Sequence, residues 1–168
     1  MLVNMLVDLR TAPLATPGEE ELLAAAGLTL AHANGTSEEE HRWIERTFDG
    51  RWPKEAAAGW NWFAKDRAGS TVGFATYEQR KYRWWWLRGW LDKREVGLFG
   101  PMGVDQRLRG KGIGRVLARR ALASLRDLGF AQALIPAVGP VEYYERACGA
   151  RVVERLRRTL FGIRREPV

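Results

Sequence analysis

The sequence predicts one α/β (α+β) domain over residues 1–168, a mixed, mainly antiparallel twisted sheet flanked by helices. Three observations predict it. Two strand-like runs, Trp60 to Lys65 and Thr71 to Tyr77, flank Asp66-Arg67-Ala68-Gly69, a hairpin-type connection that starts an antiparallel meander. From Glu95 onward, runs alternate strand–helix–strand–helix–strand. The helix in the middle of that series is a crossover, so the strands on either side of it run parallel.

In order, Leu2 to Leu9 reads as a first strand, ended by the Pro13 and Pro17 region. Thr16-Pro17-Gly18-Glu19-Glu20 is a helix start with proline near the first position and acids in the first turn. That helix carries Leu22, Leu23 and Ala26 and stops at Gly27, and Leu28 to Ala31 follows as a short strand. Thr36-Ser37-Glu38-Glu39-Glu40 is an N-cap signal for a helix with Trp43, Ile44 and Phe48 on one face. Asp49-Gly50 ends it, and Pro53 opens a short helix through Ala58. After the hairpin, the stretch from Gln79 to Trp90 holds Trp84, Trp85, Trp86 and Trp90 among arginines, with no polar face. It is open to three readings: packing or a homodimer contact, a wall of an acceptor site, or a base-stacking surface.

Glu95 to Met102 is a mostly apolar strand. Ile113, Val116, Leu117, Ala121, Leu125 and Leu128 then recur at three- and four-residue steps, with Arg115, Arg119 and Arg126 on the other side. Gly129 closes this helix, and Phe130 to Ile135 is the next strand. Val141 to Ala147 is a short helix ending at Gly149, and Arg151 to Glu154 and Arg155 to Gly162 read as two closing strands.

Composition narrows the class. With 46% apolar and 28% charged residues the chain is a globular protein, not a disordered one. A single cysteine, Cys148, leaves no internal disulfide and suits a reducing, cytoplasmic setting. The first residues lack a basic region before their apolar stretch, so no signal peptide is expected, and no apolar run has the length of a membrane span. The net charge of +7 is concentrated. Arg107, Arg109, Lys111, Arg115, Arg119 and Arg120 face one acid between Asp105 and Arg120, and a second basic run lies between Arg151 and Arg165. Such runs are either solvated faces or surfaces for a polyanion.

The chemistry concentrates at Gly103 to Gly114. Glycines on a strand-to-helix turn let the backbone approach a phosphate, and free N–H groups at the helix start favour an anion. The P-loop pattern fails because Gly110-Lys111 is followed by Gly112, with no hydroxyl for a metal ion. The dinucleotide pattern fails because the glycines fall at 110, 112 and 114. What stands is Arg109-x-x-Gly112-x-Gly114, and here the sequence resembles the GNAT acyltransferase superfamily, whose R/Q-x-x-G-x-G/A element binds the pyrophosphate of acyl-coenzyme A. The resemblance implies a GNAT-like sheet and acetyl-CoA as cosubstrate. It assigns cofactor contacts to Arg109, Gly110, Lys111, Gly112, Ile113, Gly114 and Arg115, and backbone pairing with the pantetheine arm to Met102, Gly103 and Val104. Gly100 and Pro101 are expected to bulge the strand before this edge.

Tyr143-Tyr144-Glu145-Arg146-Ala147-Cys148-Gly149 resembles the superfamily's late tyrosine–glutamate element, with one residue inserted before the glycine. That resemblance implies Tyr144 as general acid toward the leaving thiolate, with Tyr143 contributing little. Glu95 starts the strand that ends at Val104, at nearly the spacing of a glutamate base used by some relatives, and so is implied as general base. Where many relatives have an asparagine, this chain has Ala137. The Gly139-Pro140 start of that helix is similar to a bacterial GNAT subgroup of uncertain substrate, some members of which are fused to sugar-cleaving enzymes. The residues imply no metal: His32 and His41 match no ligand spacing, and Cys148 reads as a packing residue.

The expected function is N-acetyl transfer from acetyl-CoA to a primary amine, an amino sugar or other small amine, by direct attack. Nucleic acid and membrane are not expected partners. The rival is a non-enzymatic basic module on the same fold, binding nucleic acid or a protein.

Overall fold

A computed structural model describes residues 1–48, 50–78, 85–159 and 162–168. In chain order the elements are β1 (Leu2–Asp8), α1 (Glu19–Ala26), β2 (Thr29–Asn34), α2 (Glu38–Thr47), α3 (Trp52–Ala57), β3 (Trp60–Lys65) and β4 (Thr71–Tyr77). They continue with α4 (Arg88–Leu91), β5 (Val96–Val104), α5 (Ile113–Asp127), β6 (Gln132–Val138), α6 (Val141–Cys148), β7 (Arg151–Thr159) and β8 (Gly162–Pro167). The strands form one sheet in the order β2-β3-β4-β5-β6-β1-β7-β8. Only β5 and β6 run parallel, as the crossover through α5 requires. The fold is the mixed, mainly antiparallel α/β architecture that the sequence predicts.

Alternating side chains give the sheet two covered faces. On one, Leu117, Ala121, Leu122 and Leu125 of α5 pack with Met5, Val7, Phe99, Ile135 and Cys148. On the other, Ile44 and Ala56 cover Phe63 and Phe74, while a second cluster joins Leu6, Leu87, Val96, Leu98 and Leu134. Trp86 and Trp90 lie half-buried on that second cluster, and the Trp90 indole donates to Glu154 at 2.9 Å. Residues 79–84, with Trp84, fall outside the described residues.

Local chemistry explains the helix positions. Ser37 and Glu40 form a reciprocal capping box that starts α2. Glu40 also accepts from Lys65 at 2.8 Å, which fastens the helix start to β3. At the far end, the buried Asn61 amide donates to the carbonyls of Gly35 and Ala56, both at 2.8 Å, and accepts from Thr76 at 2.6 Å. Those bonds seat α3 on the sheet, since a buried amide left unpaired is costly.

Four details differ from the sequence reading. α1 starts after Gly18, at φ +70, and not at Thr16. Leu128 is 58% exposed, because α5 ends at Asp127 and its last apolar position overshoots the sheet. Arg119 is not on the solvent face. It is buried and donates to the carbonyls of Ala147 at 2.8 Å and Ala15 at 2.6 Å, joining α5 to α6 and the N-terminal loop. The two closing strands are Arg151–Thr159 and Gly162–Pro167, not Arg151 to Glu154 and Arg155 to Gly162. β1 itself lies inside the sheet, between β6 and β7.

Candidate functional site

The site arises where β5 changes partners. β5 pairs with β6 only at Val96, Gly97 and Leu98; beyond them it follows β4 to Val104. Between Phe99 and Met102, β5 carries one residue more than β4, with Gly100 at φ +110. This is the bulge expected at Gly100-Pro101, and it turns the strand away from β6. Met102, Gly103 and Val104 thus keep one edge on β4 and, among the described residues, have no strand on the other. On the facing strand Ala137 is held at φ +53, where its N–H donates to the buried Asn4 Oδ1 at 3.1 Å. Such a conformation is uncommon for a residue with a side chain and persists because its surroundings fix it.

Two cavities open along this split. The larger, of about 690 Å³, runs from the glycine turn past Met102 to Tyr144. The smaller, of about 210 Å³, fills the wedge between the diverging strands. Trp52, Met102, Pro140 and Tyr144 are walls of both, so the cavities meet there. Phe48 roofs the larger one, its ring so close to β5 that a Cβ on Gly103 would lie 2.4 Å from it. It stacks on Trp52 with ring centroids 5.0 Å apart.

The glycine turn leaves the first N–H groups of a helix open to an anion. Gly110 and Gly112 take φ +77 and +82, and α5 begins at Gly112 with no side-chain cap on its first N–H groups. Of the six cations near the turn, Arg107 pairs with Asp105, Arg120 with Glu19, and Arg119 serves backbone carbonyls. Arg109, Lys111 and Arg115 have no carboxylate partner among the described residues, and Arg109 and Arg115 line the cavity. Met102, Gly103, Val104, Gly110, Gly112, Ile113 and Gly114 line it too. Lys111 is exposed outside that lining.

Tyr143 and Tyr144 reach the site from α6, with their rings edge-to-face at 5.0 Å. Tyr144 is 9% exposed and also meets Phe99 edge-on at 6.1 Å. Burial, reinforced by Tyr143 and Cys148, raises its pKa well above that of an ordinary tyrosine, so it stays protonated. Tyr143, expected to contribute little, is also at the site. Its hydroxyl is buried without a hydrogen-bond partner among the described residues and would lie 2.8 Å from a Cβ on Gly114. Burial pushes its pKa up to about 12. An orphaned hydroxyl over a glycine turn with free N–H groups fits a phosphate-bearing ligand. If it donates to that ligand, Tyr143→Phe removes one hydrogen bond. The expected outcome is acetyl-CoA affinity weakened about three- to tenfold, measured by calorimetry, with the melting temperature of the free protein unchanged or raised.

The structure does not bring Glu95 to the site. It is exposed where β5 begins, at the far end of the strand from Met102. A different acid is there: Glu55 of α3, 3% exposed, lines the wedge that Tyr144 also lines. Burial pushes its pKa up to about 7, against the opposing pull of Arg51. The sequence signal for it was slight, a single acid beside Lys54 in a helix otherwise carrying Trp52, Pro53, Ala56 and Ala57. His32 lies elsewhere, stacked on Trp62 at 4.5 Å and bonded to the Tyr77 hydroxyl at 2.6 Å. Cys148 is buried with its thiol on the Tyr144 carbonyl. Among the described residues no group of acids, histidines or cysteines could hold a metal ion, and no helix is long and apolar enough to cross a membrane.

A sequence model described as "Acetyltransferase (GNAT) family" matches residues 21–150. No protein of curated function matches the chain in sequence. In structure, the chain is similar to the GCN5-related glucosamine N-acetyltransferase region of a fungal multi-domain GH3 β-N-acetylglucosaminidase, with TM-score 0.67 and 17% identity, over 90% of this chain and 19% of that one. It is similar also to a GCN5-related N-acetyltransferase from Sphaerobacter thermophilus, with TM-score 0.59 and 17% identity, over 90% and 48%. A third likeness is to the GNAT family N-acetyltransferase YhbS from Escherichia coli, solved in complex with CoA, with TM-score 0.54 and 19% identity, over 71% and 68%. The chain spans less than half the length of the first two. At these identities the likeness is one of fold.

Proposed function

The chain belongs to the acetyltransferase (GNAT) family, and from that premise we propose that it transfers an acetyl group from acetyl-CoA to a primary amine by direct attack on the thioester. The observation that carries this is the meeting of the two cavities at Tyr144. The larger is long enough and suitably charged for a phosphorylated cosubstrate; the smaller accommodates the reacting end of an acceptor. Arg109, Arg115 and the first N–H groups of α5 hold the phosphates, and the free edge of Met102, Gly103 and Val104 pairs with the pantetheine arm.

Two parts of the chain then act on the acyl group. Backbone N–H groups of the open β5 edge polarise its carbonyl, and Tyr144 gives a hydrogen bond to the sulfur as charge develops there. The reading includes cytoplasmic action on a small molecule, an amino sugar among the candidates, without nucleic acid or membrane. It also includes a homodimer contact through the Trp84–Trp90 segment. The enzyme is tested by mixing it with acetyl-CoA and a panel of primary amines, glucosamine among them, while free thiol is followed. Amine-dependent release of CoA, with the acetylated amine seen by mass spectrometry, is expected. No release with any amine, together with tight nucleic-acid binding that CoA does not disturb, would favour the non-enzymatic rival.

A further inference from the structure

We propose that the wedge between β5 and β6 is the acceptor subsite for the ammonium end of a small primary alkylamine, with Glu55 as the carboxylate that binds it and takes its proton. This rests on the acetyl-transfer reading and names the acceptor's reacting end. Among the described residues Glu55 is the one charged side chain on a wall otherwise made of Trp52, Phe99, Met102, Ile135, Val138, Tyr144, prolines and backbone. Its carboxylate has no hydrogen-bond or ion-pair partner among the described residues, although the residue is only 3% exposed. A buried polar group without a partner calls for one, and a small apolar slot ending in a carboxylate fits an alkylammonium. An amine with a carboxylate on the adjacent carbon fits less well, because among the described residues no cation lines the wedge to neutralise it.

The position is fixed rather than incidental. Asn61 pins the end of α3 through the Ala56 carbonyl, one residue from Glu55, and Trp52 of the same helix stacks on Phe48 over the neighbouring cavity. Among the described residues the charged or titratable groups facing Glu55 are Arg51 at the start of its own helix and Tyr144 from α6, while α2 packs against α3 through the apolar Ile44. β5 and β6 present apolar side chains and backbone to it, and β3 the neutral Asn61. Burial holds the carboxyl near pKa 7, where it can both exist ionised and accept a proton, the balance that suits a general base.

The protons balance as follows. Bound as an ammonium, the acceptor loses one proton to Glu55. The freed lone pair then forms the C–N bond at the thioester carbon while the C–S bond breaks, and the sulfur leaves with the electron pair. Tyr144 supplies a proton to that sulfur and recovers one from the nitrogen, leaving the amide. Glu55 releases its own proton to solvent when product departs.

The test uses the full chain saturated with CoA and titrated at pH 8 with n-butylammonium chloride, and with butan-1-ol as the uncharged comparison. Butylammonium is expected to bind, butanol at least about tenfold more weakly, and Glu55→Gln to weaken butylammonium about tenfold while leaving acetyl-CoA affinity within about threefold. In turnover with the best amine of the panel, kcat/KM should rise with pH through about 7 in the native protein. The rise follows the sign of the equilibrium, since the base must lose its proton before it can accept one. Glu55→Gln should lose this step and about 10²-fold in kcat/KM, and Glu55→Asp should restore part of both. Butylammonium that does not bind, or binds Glu55→Gln as well as native protein, overturns the subsite; so does an unchanged pH profile in Glu55→Gln. Failure to bind acetyl-CoA, or to release thiol with any amine, overturns the acetyl-transfer reading instead.

Discussion

Gly114→Asp is expected to abolish detectable acetyl-CoA binding while the protein stays folded. Gly114 is in the first turn of α5, at an ordinary helical φ, so a side chain there brings no backbone strain. The same cannot be said of Gly112, at φ +82 and with its Cβ position 2.9 Å from Leu22, where any substitution disturbs the turn itself. Aspartate in a first helical turn is favourable to the helix, which offsets part of the cost of displacing the Tyr143 hydroxyl, so some stability should be lost while the fold holds. Its Cβ, however, enters the space 2.8 Å from the Tyr143 hydroxyl, and its carboxylate sits where a phosphate would. Like charges about 4 Å apart at a surface-like dielectric repel by about 4 kcal/mol, more than enough for a 10²-fold loss of affinity. Calorimetry and the melting temperature with and without acetyl-CoA check it together. A variant that melts normally yet still gains the native stabilisation from acetyl-CoA would show that the turn is not the phosphate site.

Tyr144→Phe should lower kcat by about 10²-fold and change acetyl-CoA affinity by less than about threefold. A phenol has a reference pKa near 10 and a thiol about 8.5, and burial lifts Tyr144 further. Free proton transfer to the thiolate is therefore uphill, and the benefit must come from a hydrogen bond that strengthens as the C–S bond breaks. An interaction made mainly in the transition state appears in kcat and leaves ground-state binding alone. The ring contact with Phe99 survives the change, which keeps the wall between the two cavities intact. Tyr143→Phe gives the contrast, a loss in affinity with kcat retained. Turnover that survives Tyr144→Phe, where chemistry limits the rate, would leave water to protonate the sulfur.

What could be read in the sequence is what leaves a mark on residue type. The bend of the glycine turn was legible because a backbone at positive φ selects glycine, and Gly110 and Gly112 take φ +77 and +82. The bulge at Gly100-Pro101 and the capping box at Ser37 and Glu40 were legible for the same kind of reason. Glu55 was not, because a buried acid and a solvated one look alike in a chain. What buries Glu55 is the seat of α3 against a strand split forty residues further on. Glu95 drew the base assignment by its spacing along β5, but spacing from a motif does not say which end of a strand faces the cleft. Arg119 misled in the same way, since its helical phase marks a solvent face until the carbonyls of Ala15 and Ala147 are brought to it.

The inserted position of β1 has a consequence in time. Asn4 on that strand hydrogen-bonds Glu154, 150 residues later, and both edges of β1 pair with strands from the last third of the chain. At synthesis rates of about 5–20 residues per second, β1 waits roughly 8 to 30 seconds for its second neighbour. Val3, Met5, Leu6 and Val7, all buried once the sheet is complete, spend that interval without their ladder. A strand open on both sides is a template for foreign strands, and pairings this remote in sequence form slowly. Any product cut short before Arg151 keeps β1 open on one side. Recovery of folded enzyme in a cell thus depends on holding residues 2–8 apart from other chains until β7 has been made.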